Sequence, residues 1–397
     1  MKSSWNYKPI SEIMDVLTDY VANGSFASLK ENVAYSDSGF ARVIRLTDYN
    51  HDFSDDGIYV SEAAYNFLSK TKLFGNEIII ANVGANVGKI FMSPNLNEPM
   101  TLGPNSILLK TKFVDSFYYY YFKSPEGQNR IQSIVTGSAQ PKFNKTSFKK
   151  LIVPVPDIKE QLDIAKKLNI FDEKIKILKQ INDNLANLIS TAFENTYERA
   201  SAESTLGEVS EVTNGYAFKS KDLVSVPSDT TKAVFKMGNI QAGGGISHPS
   251  TKSWVEPPYF PKEKFLAREG DILMSMTDMK DNVRILGHTA LMDRDKQYYV
   301  NQRVGILRAT RLPAEYLYPL TNSKNFIQNL RMKANRGVQV NLTTKAIKES
   351  IVKVPDAKSL DDYLAIVNPL FDLQKLNSLE IDNLVEIRNE ILNRMVH

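Results

Sequence analysis

Two stretches, Gln140 to Asp157 (QPKFNKTSFKKLIVPVPD) and Gln339 to Asp356 (QVNLTTKAIKESIVKVPD), line up across about 199 residues of chain. Gln140, Lys149, Ile152, Val153, Val155, Pro156 and Asp157 recur as Gln339, Lys348, Ile351, Val352, Val354, Pro355 and Asp356. A repeat of that length sets the architecture, because each copy must be a folding unit of its own. Weaker echoes keep nearly the same spacing. Ile10–Ile13 answers Leu206–Val209, Asn23-Gly24 answers Asn214-Gly215, Gly75–Ile79 answers Gly270–Leu273, and Ser106–Lys110 answers Val304–Arg308. Short apolar runs bounded by Gly, Pro and Asn, such as residues 77–81, 107–109, 271–274 and 304–307, read as buried strands. The expected fold is mixed α/β (α+β) with much antiparallel sheet in each half of the pseudo-repeat. The Val-Pro-Val-Pro-Asp end of the first copy is extended, since proline disfavours helix in the residue before it, and a helix is expected directly after.

From Ile158 to about Tyr197 there is neither proline nor glycine, and apolar residues recur in alternating steps of four and three: Ile164, Leu168, Phe171, Ile175, Leu178, Leu185, Ile189 and Ala192. That is a coiled-coil seam, and Asn182, its one polar position, is the kind of residue that fixes register at some loss of stability. After the second copy, Ile366, Leu370, Leu373, Leu384, Ile387 and Ile391 follow a similar rhythm, with Asn377 and Glu380 interrupting it. Two such seams are expected to pair, most simply antiparallel within one chain, as rods of roughly 45 to 60 Å at 1.5 Å per residue. The alternative is two amphipathic helices packed each on its own domain. The resulting division is a first globular domain over residues 1–157, a central spacer helix over 158–200, a second domain over 201–356 and a distal spacer helix over 357–397.

The net charge of +4 is unevenly spread. Residues 1–156 hold 16 Lys and Arg against 14 Asp and Glu, about +2, and residues 204–355 hold 22 against 14, about +8, so the remaining segments sum to about −6. Basic or neutral globular regions alternating with acidic helices suit a polyanion on the former and protein on the latter. Cysteine is absent, which excludes disulfides, thiolate nucleophiles and cysteine-held zinc and fits a reducing compartment. No stretch approaches the roughly 18 apolar residues of a membrane span, and the N-terminus lacks a secretory signal, so a cytoplasmic protein is expected.

Catalytic motifs fail on their spacing. Pro156-Asp157 followed by Asp172-Glu173-Lys174 has the loose outline of a magnesium nuclease, but its second acid lies within the helical seam, whereas such carboxylates must converge from neighbouring strands. Residues 82–89, Asn-Val-Gly-Ala-Asn-Val-Gly-Lys, have three residues rather than four between the glycines and Ile90 where a phosphate loop needs Ser or Thr. His51, His248, His288 and His397 have no metal spacing. Neither a methyltransferase tetrad nor a dinucleotide fingerprint is present, so no catalytic or metal site is assigned.

The order of short motifs resembles the specificity subunit of type I restriction enzymes. In the second half these are Leu206 to Val212, Asn214 to Phe218, Gly270 to Leu273, Asn301 to Arg308 and Val354 to Asp356; in the first, residues 75–89 and 102–110. The resemblance spans essentially the whole chain. It implies two target recognition domains, each reading half of an asymmetric bipartite site in double-stranded DNA. It further implies helices that separate the halves and dock two methyltransferase subunits, endonuclease and translocase subunits joining later. S-adenosylmethionine, ATP and magnesium are then expected on those partners, with no cofactor held by this chain. Base reading by Arg, Lys, Asn and Gln on loops follows the major-groove code. Loop composition makes Gln140, Lys142 and Lys145 candidates in the strap 137–145, and Arg336 and Gln339 in the strap 335–341. Arg42, Arg45 and Lys89 in the first half, and Lys236, Lys280, Arg284, Arg303 and Arg331 in the second, are further candidates. Gln140 and Gln339 equally suit a structural role. Rival readings are a similar subunit of another methylation or phage-exclusion system, and a protein scaffold that binds no DNA.

Overall fold

A computed structural model describes residues 5–50, 53, 57–279, 283–337 and 339–395, with the side chain of Arg336 outside the description. The chain forms two compact units. The first comprises residues up to Ile177 together with those from Glu380 onward, and the second Leu178–Leu379. The division therefore falls inside the two long helices, Ile158–Arg199 and Ala357–Arg394, rather than at their ends.

In the first unit a four-stranded antiparallel sheet runs in the order Met14–Asp19, Ser106–Thr111, Ile78–Ala81, Ile90–Met92. Ile78, Ile79 and Ile80 are all inaccessible, which is why this run is apolar without alternation. One face meets the aromatic helix Asp115–Lys123, whose Phe117, Tyr118, Tyr120, Tyr121 and Phe122 are buried. The other packs on a second sheet, Tyr59–Val60, Ala41–Ile44, Met100–Leu102 and Lys72–Leu73, in which Ala41–Ile44 lies parallel to Met100–Leu102. Asn6–Pro9 and Ile152–Val155 close the unit as an antiparallel ribbon; its Pro154 sits on a two-stranded edge, where a missing N–H is tolerated.

The second unit repeats this plan. Ser210–Asn214, Val304–Ala309, Ile272–Ser275 and Thr289–Leu291 form the antiparallel sheet; Lys232–Phe235 lies parallel to Tyr298–Val300 in the other, flanked by Trp254–Val255 and Leu223–Val224; and Ala202–Thr205 pairs with Ile351–Val354. The short helices Ile10–Ile13 and Leu206–Val209 hold equivalent places, Ile10 N–H donating to the Leu151 carbonyl and Leu206 N–H to that of Ser350. A three-stranded sheet of Thr277–Met279, Gln339–Asn341 and Asn335–Arg336 extends in this unit what the first unit has as the bridges Val83–Lys142 and Thr136–Lys142.

In each unit the long helices pair antiparallel. Along the first helix the buried or half-buried positions are Ile164, Leu168, Phe171, Ile175, Leu178, Asn182, Leu185, Ile189 and Ala192, one unbroken seam. The second helix departs from its expected phase. Ile366, Leu373 and Ile387 are 58%, 43% and 46% exposed. The seam instead runs through Tyr363, Val367, Leu370, Gln374, Asn377, Ile381, Leu384, Arg388 and Ile391, again in steps of four and three. Polar residues hold three of these places because each meets a polar partner. Asp172 accepts from Arg388 (2.6 Å) and from the hydroxyl of Tyr120 (2.9 Å) in the first unit, beside the ion pair Lys174–Glu380. In the second, Asn377 donates to Asn182 Oδ1 (2.8 Å) and Gln374 to the Asn182 carbonyl (2.9 Å). Among the described residues no helix is long and apolar enough to cross a membrane.

Candidate nucleic-acid interface

In each unit the strand that ends at Ala81 or Ser275 opens into a turn that a later strap crosses. In the first, Gly84 N–H donates to the Pro141 carbonyl (2.9 Å), Phe143 N–H to that of Asn82 (3.1 Å), and Val83 pairs with Lys142. In the second, Leu342 N–H donates to the Met276 carbonyl (2.8 Å), while Thr277 and Met279 pair with Asn341 and Gln339. A third loop supports each turn, Asn82 N–H reaching Asn105 O (3.0 Å) and Met276 N–H reaching Arg303 O (3.0 Å). Gly88 (φ 89°) and Gly287 (φ 82°) close the turns in the left-handed region, which L-residues with a Cβ adopt only at a strain.

These loops gather part of the candidate set. Gln140 and Lys142 are exposed on the first strap. Lys145 begins the short helix that follows and pairs with Asp19 (2.8 Å). Lys89, next to Gly88, reaches Asn50 Oδ1 (2.6 Å) and lies over the Tyr49 ring. In the second unit Arg284 and Arg303 are exposed, and Gln339 is half-buried on the strap. Arg336 lies on the paired strand Asn335–Arg336, and Lys280 falls outside the described residues.

Three candidates are corrected. Arg42 is buried, donating to the Phe53 carbonyl (3.2 Å) beside Glu98, because its strand Ala41–Ile44 is a central, fully buried strand of the mixed sheet. Arg45 grips the buried Asp48 of its own turn with Nε and Nη2 (3.0 and 2.6 Å). Arg331 is turned inward, Nε to the Leu286 carbonyl (2.9 Å) and Nη2 to that of Arg284 (3.1 Å). Lys236 reaches Ser253 Oγ (2.7 Å) at the other sheet of the second unit. A fixed cation on a strand or helix reads in sequence like a solvent-facing one.

No sequence motif marks Asp278. Its carboxylate is buried and accepts from the N–H groups of Met279 (2.8 Å), Ile285 (2.6 Å) and Leu286 (3.0 Å). Next to the turn, His288 has its pKa lowered, first by burial and then by the Arg331 guanidinium, and its Nδ1 accepts from Gly243 N–H (3.3 Å). That is the neutral tautomer's arrangement.

A family model for the type I restriction modification DNA specificity domain matches residues 2–187 and again 199–389. The chain belongs to that family. It is 20% identical to the MjaIX type I restriction enzyme specificity subunit of Methanocaldococcus jannaschii, over 99% of this chain and 92% of the relative. It is 25% identical to the MjaVIII specificity subunit of the same organism, over 81% and 78%. Among solved structures, the S subunit of a type I restriction-modification system from M. genitalium superimposes with a TM-score of 0.57 at 17% identity, covering 98% of this chain and 95% of that one. That likeness is one of fold.

Proposed function

We propose that this chain is the DNA-recognition subunit of a type I restriction and modification complex, each unit reading one half of an asymmetric bipartite duplex site. The observation that carries the reading is the duplicated turn-and-strap. Matching backbone hydrogen bonds recur in both units, yet exposed side chains at matching places differ, Lys142 against Asn341 on the straps and Asn105 against Arg303 on the supporting loops. A common platform with different polar groups is what two different half-sites require, because amide and guanidinium groups select adenine and guanine through their major-groove edges. The greater positive charge of residues 204–355 gives the second unit the larger share of phosphate attraction.

The long helices serve the partners. Ile170 and Ile177 in the first unit, and Ile181 and Leu188 in the second, are each exposed a heptad apart on the first helix, and each pair suits one methyltransferase subunit, with endonuclease and translocase subunits joining the assembly in the cytoplasm. S-adenosylmethionine, ATP and magnesium belong to those partners in this reading, and this chain contributes positioning rather than a catalytic group. The test is a mobility shift on genomic fragments with the purified methyltransferase present, over a range of salt. Sequence-selective binding is expected, its affinity falling with salt, and Lys142→Ala should reduce the salt slope by about 1. Absence of selective binding on every fragment would overturn the proposal in favour of a protein scaffold.

A further inference from the structure

The two turns differ in length and in what holds them. Gly88 N–H returns to the Ala81 carbonyl, and Gly287 N–H to that of Ser275, so the intervening turn is five residues longer in the second unit. The short turn closes on itself, Val87 N–H donating to Gly84 O (3.0 Å), with the neutral Gln132 reaching the Val87 carbonyl (3.4 Å). The long turn has opposite charges at its base. Asp278 takes the N–H groups of Ile285 and Leu286, and Arg331, at the position matching Gln132, takes the carbonyls of Arg284 and Leu286.

We infer that Asp278 and Arg331 are positioning residues for half-site specificity in the second unit, clamping the peptide groups of residues 284–286 so that Arg284 is presented to the base edges beside Arg303 and Gln339. The clamp captures both polar sides of the same backbone segment. A carboxylate accepting several backbone N–H groups and a guanidinium spanning two carbonyls are charge-assisted bonds, about twice as strong as neutral ones. They act where the backbone has no strand partner: Leu286 is inaccessible, whereas Arg284 is exposed. Both turns share the closing backbone bond, but the shorter one of the first unit is also spanned from Val87 N–H to Gly84 O and has a neutral amide, Gln132, where the second has Arg331. This inference rests on the DNA-reading role proposed above.

The test uses the complex with its methyltransferase subunits and the target found by mapping methylated bases. D278N, R331Q and R331K are compared on the cognate duplex and on duplexes altered in either half-site. Each variant should lose about tenfold of its discrimination at the half-site read by the second unit. Discrimination at the other half-site, affinity for nonspecific duplex and the salt slope should stay unchanged. R331K is decisive, since lysine keeps the charge but cannot span two carbonyls. An R331K protein that discriminates like the wild type, or an R331Q protein that weakens uniformly with a salt slope smaller by about 1, would make Arg331 a phosphate contact and overturn the inference. Melting of each complex separates a lost clamp from a lost fold: R331K, altered at a half-buried position, is expected to melt with the wild type. A wild-type complex that discriminates at neither half-site removes the DNA-reading role, and this inference with it.

Discussion

The polar layer in the helical pair of the second unit offers a quantitative prediction. Asn182 sits in the seam, its Oδ1 accepting from Asn377 Nδ2 at 2.8 Å, while its own Nδ2 lies 3.4 Å from both the Gln374 carbonyl and Ser378 Oγ. The last two contacts are at the limit of hydrogen-bond geometry and contribute little. The first matters because Asn377 is only 7% exposed. Asn182→Leu leaves a buried amide without its acceptor, a loss of about 1–3 kcal/mol. For a unit of this size, about 2 kcal/mol lowers its melting temperature by about 4–8 °C. Asn182→Leu with Asn377→Leu removes both partners and restores an apolar layer, so it is expected near or above wild-type stability. A double-mutant cycle by urea denaturation should give a coupling of at least about 1 kcal/mol. If N182L alone is as stable as the wild type, or the two substitutions simply add, the seam assigned to the second helix is wrong.

Three further outcomes follow from the packing. Arg388→Met strands the half-buried Asp172 carboxylate beside Tyr120 and should destabilise the first unit by about 1–3 kcal/mol, whereas D172N, which keeps an acceptor for Tyr120, should cost less in the same melt. Because the folded pKa of His288 is below its ordinary 6.5, the unfolded chain takes up the proton first. Stability of the second unit should thus hold above pH 6.5 and fall as pH drops below 6.5 toward the lowered folded value, and H288Q should flatten that part of the profile. Gly127→Ala would put a Cβ 2.1 Å from the Tyr121 carbonyl, at a serine-capped helix start with no room to shift. Calorimetry should show a large loss in the first unit, while the same change at Gly84, with nothing within 4 Å, should act only through its positive φ.

The repeat and the first helical seam were legible because both are patterns of apolar residues, the signal that burial imposes most directly. The second seam was misphased for the same reason. Gln374, Asn377 and Arg388 are buried or half-buried through partners about 200 residues away, and no periodicity of hydrophobic residues reports a hydrogen bond across helices. At the candidate interface, composition located both straps but could not separate a cation aimed at solvent from one such as Arg42 or Arg331, whose donors are taken by the protein. Asp278 has no mark of a DNA-facing group in sequence, since a carboxylate repels phosphate and this one accepts backbone N–H groups instead.

The assignment of chain to units has a consequence for synthesis. The second unit is continuous in sequence, from Leu178 to Leu379, and all its strands and both its helical halves have emerged before the residues from Glu380 onward are made. The first unit is not: Leu392 and Met395 belong to the same cluster as Trp5, Ile10 and Leu168. A ribosome therefore releases the later-made unit ready to fold while the earlier-made one still waits with an open apolar face, so the nascent chain's need for chaperones should be greatest on the earlier-made half.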